Sequence, residues 1–222
     1  MVSESVLADE WRRLMDGCKV SNQEAIGRAF EQLRDAYSEP HRFYHNLNHI
    51  ETMLFYLFEI AWADPFLLTT NIRLATWYHD AVYNPRQSDN ELQSAEFATR
   101  ALTDLKLEPP TIQRVCDLIM LTKTHVRPES DPEADLFLDL DLSILGADPA
   151  AYAGYAANIR KEYAWVSDFD FGTGRRKVLV AFLARPVILH EDWYDRFSEK
   201  QARTNIAAEI AQIDEQLRTM PS

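Results

Sequence analysis

The chain of 222 residues is long enough for one substantial hydrophobic core, and with 46% apolar residues it does not have a disordered composition. A formal net charge of -12 disfavours a nucleic-acid backbone as partner and favours a small soluble substrate, with local positive charge supplied by a metal ion or a few arginines. Cys18 and Cys116 are too few for a disulfide framework and lack the spacing of a zinc or redox pair, so a reducing compartment is the simplest expectation.

The N-terminal MVSESVLADEW carries acids where a signal peptide carries bases, and no uncharged apolar run approaches a membrane span. Both features predict a cytoplasmic protein without a membrane partner. A helix is expected over residues 5–16. SNQE at 21–24 reads as a capping box, Ser21 capping and Glu24 answering it, ahead of AIGRAFEQLRDAY. Helical periodicity continues over 47–62 and 70–81. SDNE at 88–91 repeats the device and opens ELQSAEFATRALTDLKL, where Leu92, Ala95, Ala98, Ala101, Leu102 and Leu105 keep a helical spacing. Further helices are expected over 111–124, 149–166, 175–185 and 191–219. Prolines fall mostly between these segments, as helix punctuation should. VRPESDPEADLF at 126–137, acidic and Pro-rich, reads as the longest irregular piece, a surface loop over something functional. No hairpin is expected, so the fold class is all-α, in one domain over 1–222. The C-terminal IAAEIAQIDEQL is amphipathic and can pack within one chain or between two.

YHNLNH, residues 44–49, sets His45 and His49 four apart, on one side of a helix but at different depths. His79-Asp80 stand near the end of NIRLATWYHDAVY, just before the breaker Asn84-Pro85. DLDLSILG places Asp139 and Asp141 among Leu140, Leu142 and Leu145. A carboxylate so flanked must be paired, hydrogen-bonded or bound to a cation, because a buried isolated charge is too costly. Asp141 can instead cap the turn through Ser143 to Leu145. Glu91 is a capping-box member first and an active-site acid second. Lys123, Arg160 and Arg175 are the phosphate-binding candidates. GTGRR around Arg175 lacks the spacing of a Walker loop, and Arg160 can equally pair with Glu162. Tyr44, Tyr78 and Tyr83 flank the histidines and can line a ring pocket, with core packing as their default role. His41 and His190 read as structural or surface residues.

The succession His49, then His79-Asp80, then Asp141 in an all-helical chain resembles the H...HD...D signature of the HD-domain metal-dependent phosphohydrolases. YHNLNHI, WYHDAVY, NELQSA, and DLDLSILG followed by YAGYAANIRKEY are similar to a bacterial subgroup of predicted HD phosphohydrolases, over nearly the whole chain. The resemblance implies an HD-domain helical bundle, and a metal site of His49, His79, Asp80 and Asp141 in which Asp80 also serves catalysis. YHNxxH is similar to a motif of cyclic-nucleotide phosphodiesterases whose first His donates a proton and whose second binds metal, which implies His45 as the acid. Some HD proteins hold a second metal through extra histidines, so His125 in TKTH can be a ligand, a phosphate contact, or a cation at a helix C-terminus, and Glu91 is the other candidate for a second metal or phosphate. A cysteine-free shell of nitrogen and oxygen suits Mn, Fe, Co, Ni, Zn or Mg.

The implied reaction is hydrolysis of a small phosphate ester, a nucleotide among the candidates, by metal-activated water. Two other classes stay open. One is an HD-fold di-iron oxygenase, with His125 as an iron ligand; the other is a noncatalytic metal- or nucleotide-binding regulatory domain. Alarmone hydrolysis is disfavoured because AVYN follows HD where the alarmone-hydrolysing enzymes carry an acidic pair.

Overall fold

The structure is a computed structural model, described over residues 4–190 and 198–219. Among these residues the chain forms ten α-helices and no strand: α1 (Glu4–Gly17), α2 (Gln23–Tyr37), α3 (Leu47–Ala63), α4 (Thr70–Tyr78), α5 (Asn90–Asp104), α6 (Pro109–Leu121), α7 (Pro132–Leu142), α8 (Pro149–Glu162), α9 (Asp168–Leu183) and α10 (Glu199–Thr219). Short 3₁₀ turns lie at Pro65–Leu67 and Ser143–Gly146. The fold class is all-α, as the periodicity predicts. No helix among the described residues is long and apolar enough to cross a membrane.

The chain divides into two compact units, Met1–Leu140 and Asp141–Ser222. The core of the first is built on α3 and α4. Ile50, Met53, Leu54, Leu57, Ile60 and Ala61 of α3 are buried at helical spacing. Trp11 of α1 packs edge-on against Trp77 of α4 at 5.6 Å and donates its indole N–H to the Ile26 carbonyl at 3.0 Å, joining α1, α2 and α4. Tyr37, at the end of α2, donates its hydroxyl to the Trp77 carbonyl at 3.0 Å. These bonds fix the C-terminal end of α4, where His79 and Asp80 follow.

In the second unit α9 packs on α10, and α10 on the Ser143–Gly146 turn. Asn205 of α10 donates to the carbonyls of Leu145 (2.9 Å) and Ala147 (2.8 Å). Gly146 is required there by close approach: a Cβ would meet Leu189 Cδ1 at 2.9 Å and the Ser198 carbonyl oxygen at 3.0 Å.

Several local expectations shift. The cap of α2 is Asn22, which accepts from the Ala25 N–H, and not Ser21; Glu24 turns to Arg28. The residue capping α5 is Asp89, without a side-chain bond, so the Ser88–Glu91 box does not form. The helix containing Arg175 begins seven residues early, at Asp168, because Ser167 caps it and Asp168 and Asp170 occupy its first turn. The largest correction is α7, which takes up the second half of the expected loop at 126–137. Pro132 opens that helix and Glu133 and Asp135 lie in its first turn, so acids and proline that look loop-like are a helix start. The expected helical stretch 191–197 lies outside the described residues.

Candidate metal centre

Helix termini bring the proposed ligands together. Asn46 caps α3, its side chain accepting from the Asn48 N–H at 2.9 Å. His49 therefore sits in the first turn, buried to 5% exposure. α4 stops at Tyr78, short of the expected residue 81, and His79 is its C-cap, its N–H bonded to the Ala75 carbonyl. The His79 ring is 1% exposed. Its Nδ1 lies 3.0 Å from the Thr76 carbonyl. A carbonyl can only accept, so the ring proton belongs on Nδ1 and Nε2 presents a lone pair. That Nε2 is 3.2 Å from His49 Nε2 and 3.1 Å from Asp80 Oδ2.

The third member comes from the last turn of α7. Ligand atoms of His49, His79 and Asp141 all lie within 4.8 Å of one another, an arrangement that can hold a metal ion. The unit boundary falls inside α7, one residue before Asp141, so the helix that carries Asp141 belongs for most of its length to the first unit. Asp141 does not cap the following 3₁₀ turn, whose N-cap is Leu142 with no side-chain bond. Asp139 has a different task. It is fully buried and forms an ion pair with Arg127, which also donates to the Asp135 carbonyl at 3.0 Å. The two aspartates of DLDL are thus divided between a salt bridge and the histidine cluster.

His45 stands at the rim. Its ring stacks on Tyr83 at 4.1 Å, with Tyr44 edge-on at 5.1 Å and His49 at 6.2 Å. Tyr44 also lies 5.0 Å from the His49 ring. Two of the three flanking tyrosines thus line the histidines. Tyr78 is a core residue, fully buried between Trp11 and Phe97, and burial pushes its hydroxyl pKa up.

The remaining candidates are placed elsewhere or engaged otherwise. His125 follows α6 with φ 50, its N–H on the Leu121 carbonyl, and is not among the three clustered residues. Glu91 lies in the first turn of α5. Lys123 donates to the Ser88 carbonyl at 3.0 Å. Arg160 binds Asp168 and the carbonyls of Tyr163 and Val166. Arg175 is held by Glu209 and Tyr155. His41 Nε2 meets the Tyr83 carbonyl at 2.7 Å.

Sequence reasoning missed Arg42. Its side chain has no exposed surface, and it donates to the carbonyls of Asp80 (2.6 Å), Ala81 (3.1 Å) and His45 (3.2 Å) and to Glu39 (2.9 Å). The available signal was a lone arginine two residues ahead of YHNLNH. Thr76 was missed as well, since it contributes a backbone carbonyl that any residue type would supply.

Comparison of the chain with protein-family models, with curated proteins and with solved structures finds no match. The donor set itself fits a divalent cation. Two imidazole nitrogens and a carboxylate oxygen converge, one of the nitrogens with its tautomer set by a backbone carbonyl, as metal-binding histidines are normally oriented.

Proposed function

We propose that the chain is an HD-type phosphohydrolase that cleaves a small phosphate ester, with a divalent cation held by His49, His79 and Asp141. The observation that supports this reading is the convergence of those three side chains within 4.8 Å, with the Asp80 carboxylate 3.1 Å from His79 Nε2. A cation bound there supplies Lewis acidity, offsetting charge on a phosphoryl oxygen and acidifying water near neutral pH.

The chain's own groups do the rest. Asp80, partly open to solvent, orients the attacking water and accepts its proton. His45, half-buried and held by Tyr83 and Tyr44, donates a proton to the departing ester oxygen. The acid stands ahead of α3, before its N-cap Asn46 and not on a shared helix face as expected, with its ring 6.2 Å from that of His49, close enough to share a substrate and far enough to stay off the cation. The net charge of -12 makes the cation the principal local attraction for a phosphate. Nucleotides belong to the substrate class by size and charge.

A screen of phosphate esters in the presence of single added metals, with bound metal measured in parallel, tests the proposal. Turnover that disappears on chelation and returns with one of the metals is expected. A fully loaded protein inert to every ester, or one that carries two irons and consumes oxygen, contradicts it.

A further inference from the structure

We infer that Arg42 is the positioning residue of this centre: its guanidinium clamps the segment leading into α3 onto the turn that follows α4, and so sets the separation of His49 and His79. The effect on metal affinity rests on reading the site as a metal centre; the effect on the two rings does not.

His49 and His79 are thirty residues apart and lie at the ends of two different helices, one just inside the start of α3 and the other just past the end of α4. Helix ends are where the backbone has surplus hydrogen-bonding groups and frays most readily. The carbonyls of Asp80 and Ala81, beyond the last turn of α4, have no following helical N–H to accept from. Arg42 takes both, Nη1 on Asp80 and Nη2 on Ala81, while Nη1 also reaches the His45 carbonyl across the chain. One rigid fork thus joins a carbonyl four residues before one histidine to carbonyls one and two residues after the other.

The fork is fixed in its own right. Tyr37 lies 5.2 Å and Tyr83 5.5 Å from the guanidinium carbon, each with its ring under the cation. Tyr37 is itself anchored to the Trp77 carbonyl, and Tyr83 stacks on His45, so the residues holding Arg42 are those that hold the ligand segments. Glu39 accepts from Nε at 2.9 Å and compensates the charge. The clamp is therefore neutral overall and does not repel a cation from the neighbouring centre. A positive group at the end of α4 is also favoured by the helix dipole. Lysine cannot replace this arrangement, because an ammonium has neither the planar fork nor the span to meet three carbonyls from two segments.

The test uses the full chain, with Co²⁺ as the probe, and compares wild type with Arg42→Lys. Co²⁺ affinity is read from its visible absorption, helix content from circular dichroism, and the His49–His79 contact in metal-free protein from a nuclear Overhauser effect between rings whose centroids are 5.2 Å apart. Arg42→Lys is expected to keep its helices, lose the ring contact and bind Co²⁺ at least roughly tenfold more weakly. Arg42→Ala, which leaves a guanidinium-sized hole, should regain the contact and the affinity when millimolar guanidinium is added, and this arm decides the matter if the lysine variant does not fold. A folded Arg42→Lys with unchanged Co²⁺ affinity, or with the ring contact intact, overturns the inference, as does failure of guanidinium to restore the contact. If wild type itself binds no Co²⁺, the metal-centre reading fails, and the ring contact alone then decides: its loss in Arg42→Lys supports the clamp and its persistence overturns it.

Discussion

Two buried polar clusters of this chain differ in charge balance. In the second unit, Arg175 binds Glu209 with two nitrogens, Nε at 2.8 Å and Nη2 at 3.1 Å, and donates from Nη1 to Tyr155 at 3.2 Å. Tyr152 donates to the same carboxylate, and burial together with that bond pushes its hydroxyl pKa up. Cation meets anion and each donor meets an acceptor, so the network ties α8, α9 and α10 together and asks for nothing further. The histidine cluster is composed differently. It assembles two imidazoles and two carboxylates, with the Nδ1 proton of His79 directed to the Thr76 carbonyl and its Nε2 toward His49 and Asp80. The first cluster joins a cation to an anion; the second gathers imidazole nitrogens and carboxylate oxygens, the atom types that suit a divalent cation.

The largest expected effect comes from removing a ligand. Purified wild type should carry about one or two transition-metal ions per chain, and His79→Ala or Asp141→Ala should lose most of them, with all activity, while circular dichroism shows the helices retained. Glu209→Gln should leave metal content unchanged. His45→Ala should keep its metal and lose roughly a hundredfold in rate on an ester with a poor alcohol leaving group. The defect should shrink with nitrophenolate, which leaves without a proton. An equal loss on both esters would make His45 a positioning residue.

Smaller effects separate the salt bridges from the cluster. Asp139→Ala leaves half-buried Arg127 with only Asp135 as its carboxylate partner and should cost about 2 kcal/mol in denaturant unfolding, with metal retained. Arg175→Met should cost a similar amount, about 3 kcal/mol, and the Arg175→Met, Glu209→Leu pair should recover much of it, because apolar packing often replaces a buried ion pair without loss.

The smallest effect is in acid. The hydrogen bond from Arg114 at 2.6 Å, reinforced by the Ala134 N–H, holds the Asp131 carboxyl below its ordinary range against partial burial. A depressed folded-state pKa stabilises above the ordinary value of 3.8 and the contribution is lost as pH falls through the folded-state value. The difference in thermal midpoint between wild type and Asp131→Asn should therefore be full near neutrality and shrink below about pH 4.

The fold was legible in the sequence wherever apolar spacing ran uninterrupted, as in α3 and α5. It was less so where several capping residues stand side by side: Ser21 and Asn22, or Ser88 and Asp89, differ by one position and the same amphipathic run follows either. α7 was hidden because proline and acids favour both loops and helix starts, and only the leucines after Asp135 distinguish them. At the candidate site, the side chains that cluster, His49, His79 and Asp141, were legible because imidazoles and carboxylates at that spacing stand out in a sequence. Arg42 and Thr76 were not, since the contacts that orient the histidines end on backbone carbonyls, which every residue possesses. Asp139 and Asp141 were separated only by the position of Arg127, a partner that the alternation of DLDL does not reveal.

The most direct test of the account is anomalous diffraction from crystals of the full chain grown with Co²⁺. The account predicts a peak roughly 2.1 Å from His49 Nε2, His79 Nε2 and an Asp141 carboxylate oxygen, absent from Asp141→Ala crystals grown the same way. A peak bound elsewhere, or one that persists unchanged between the two histidines when Asp141 is replaced, would contradict it.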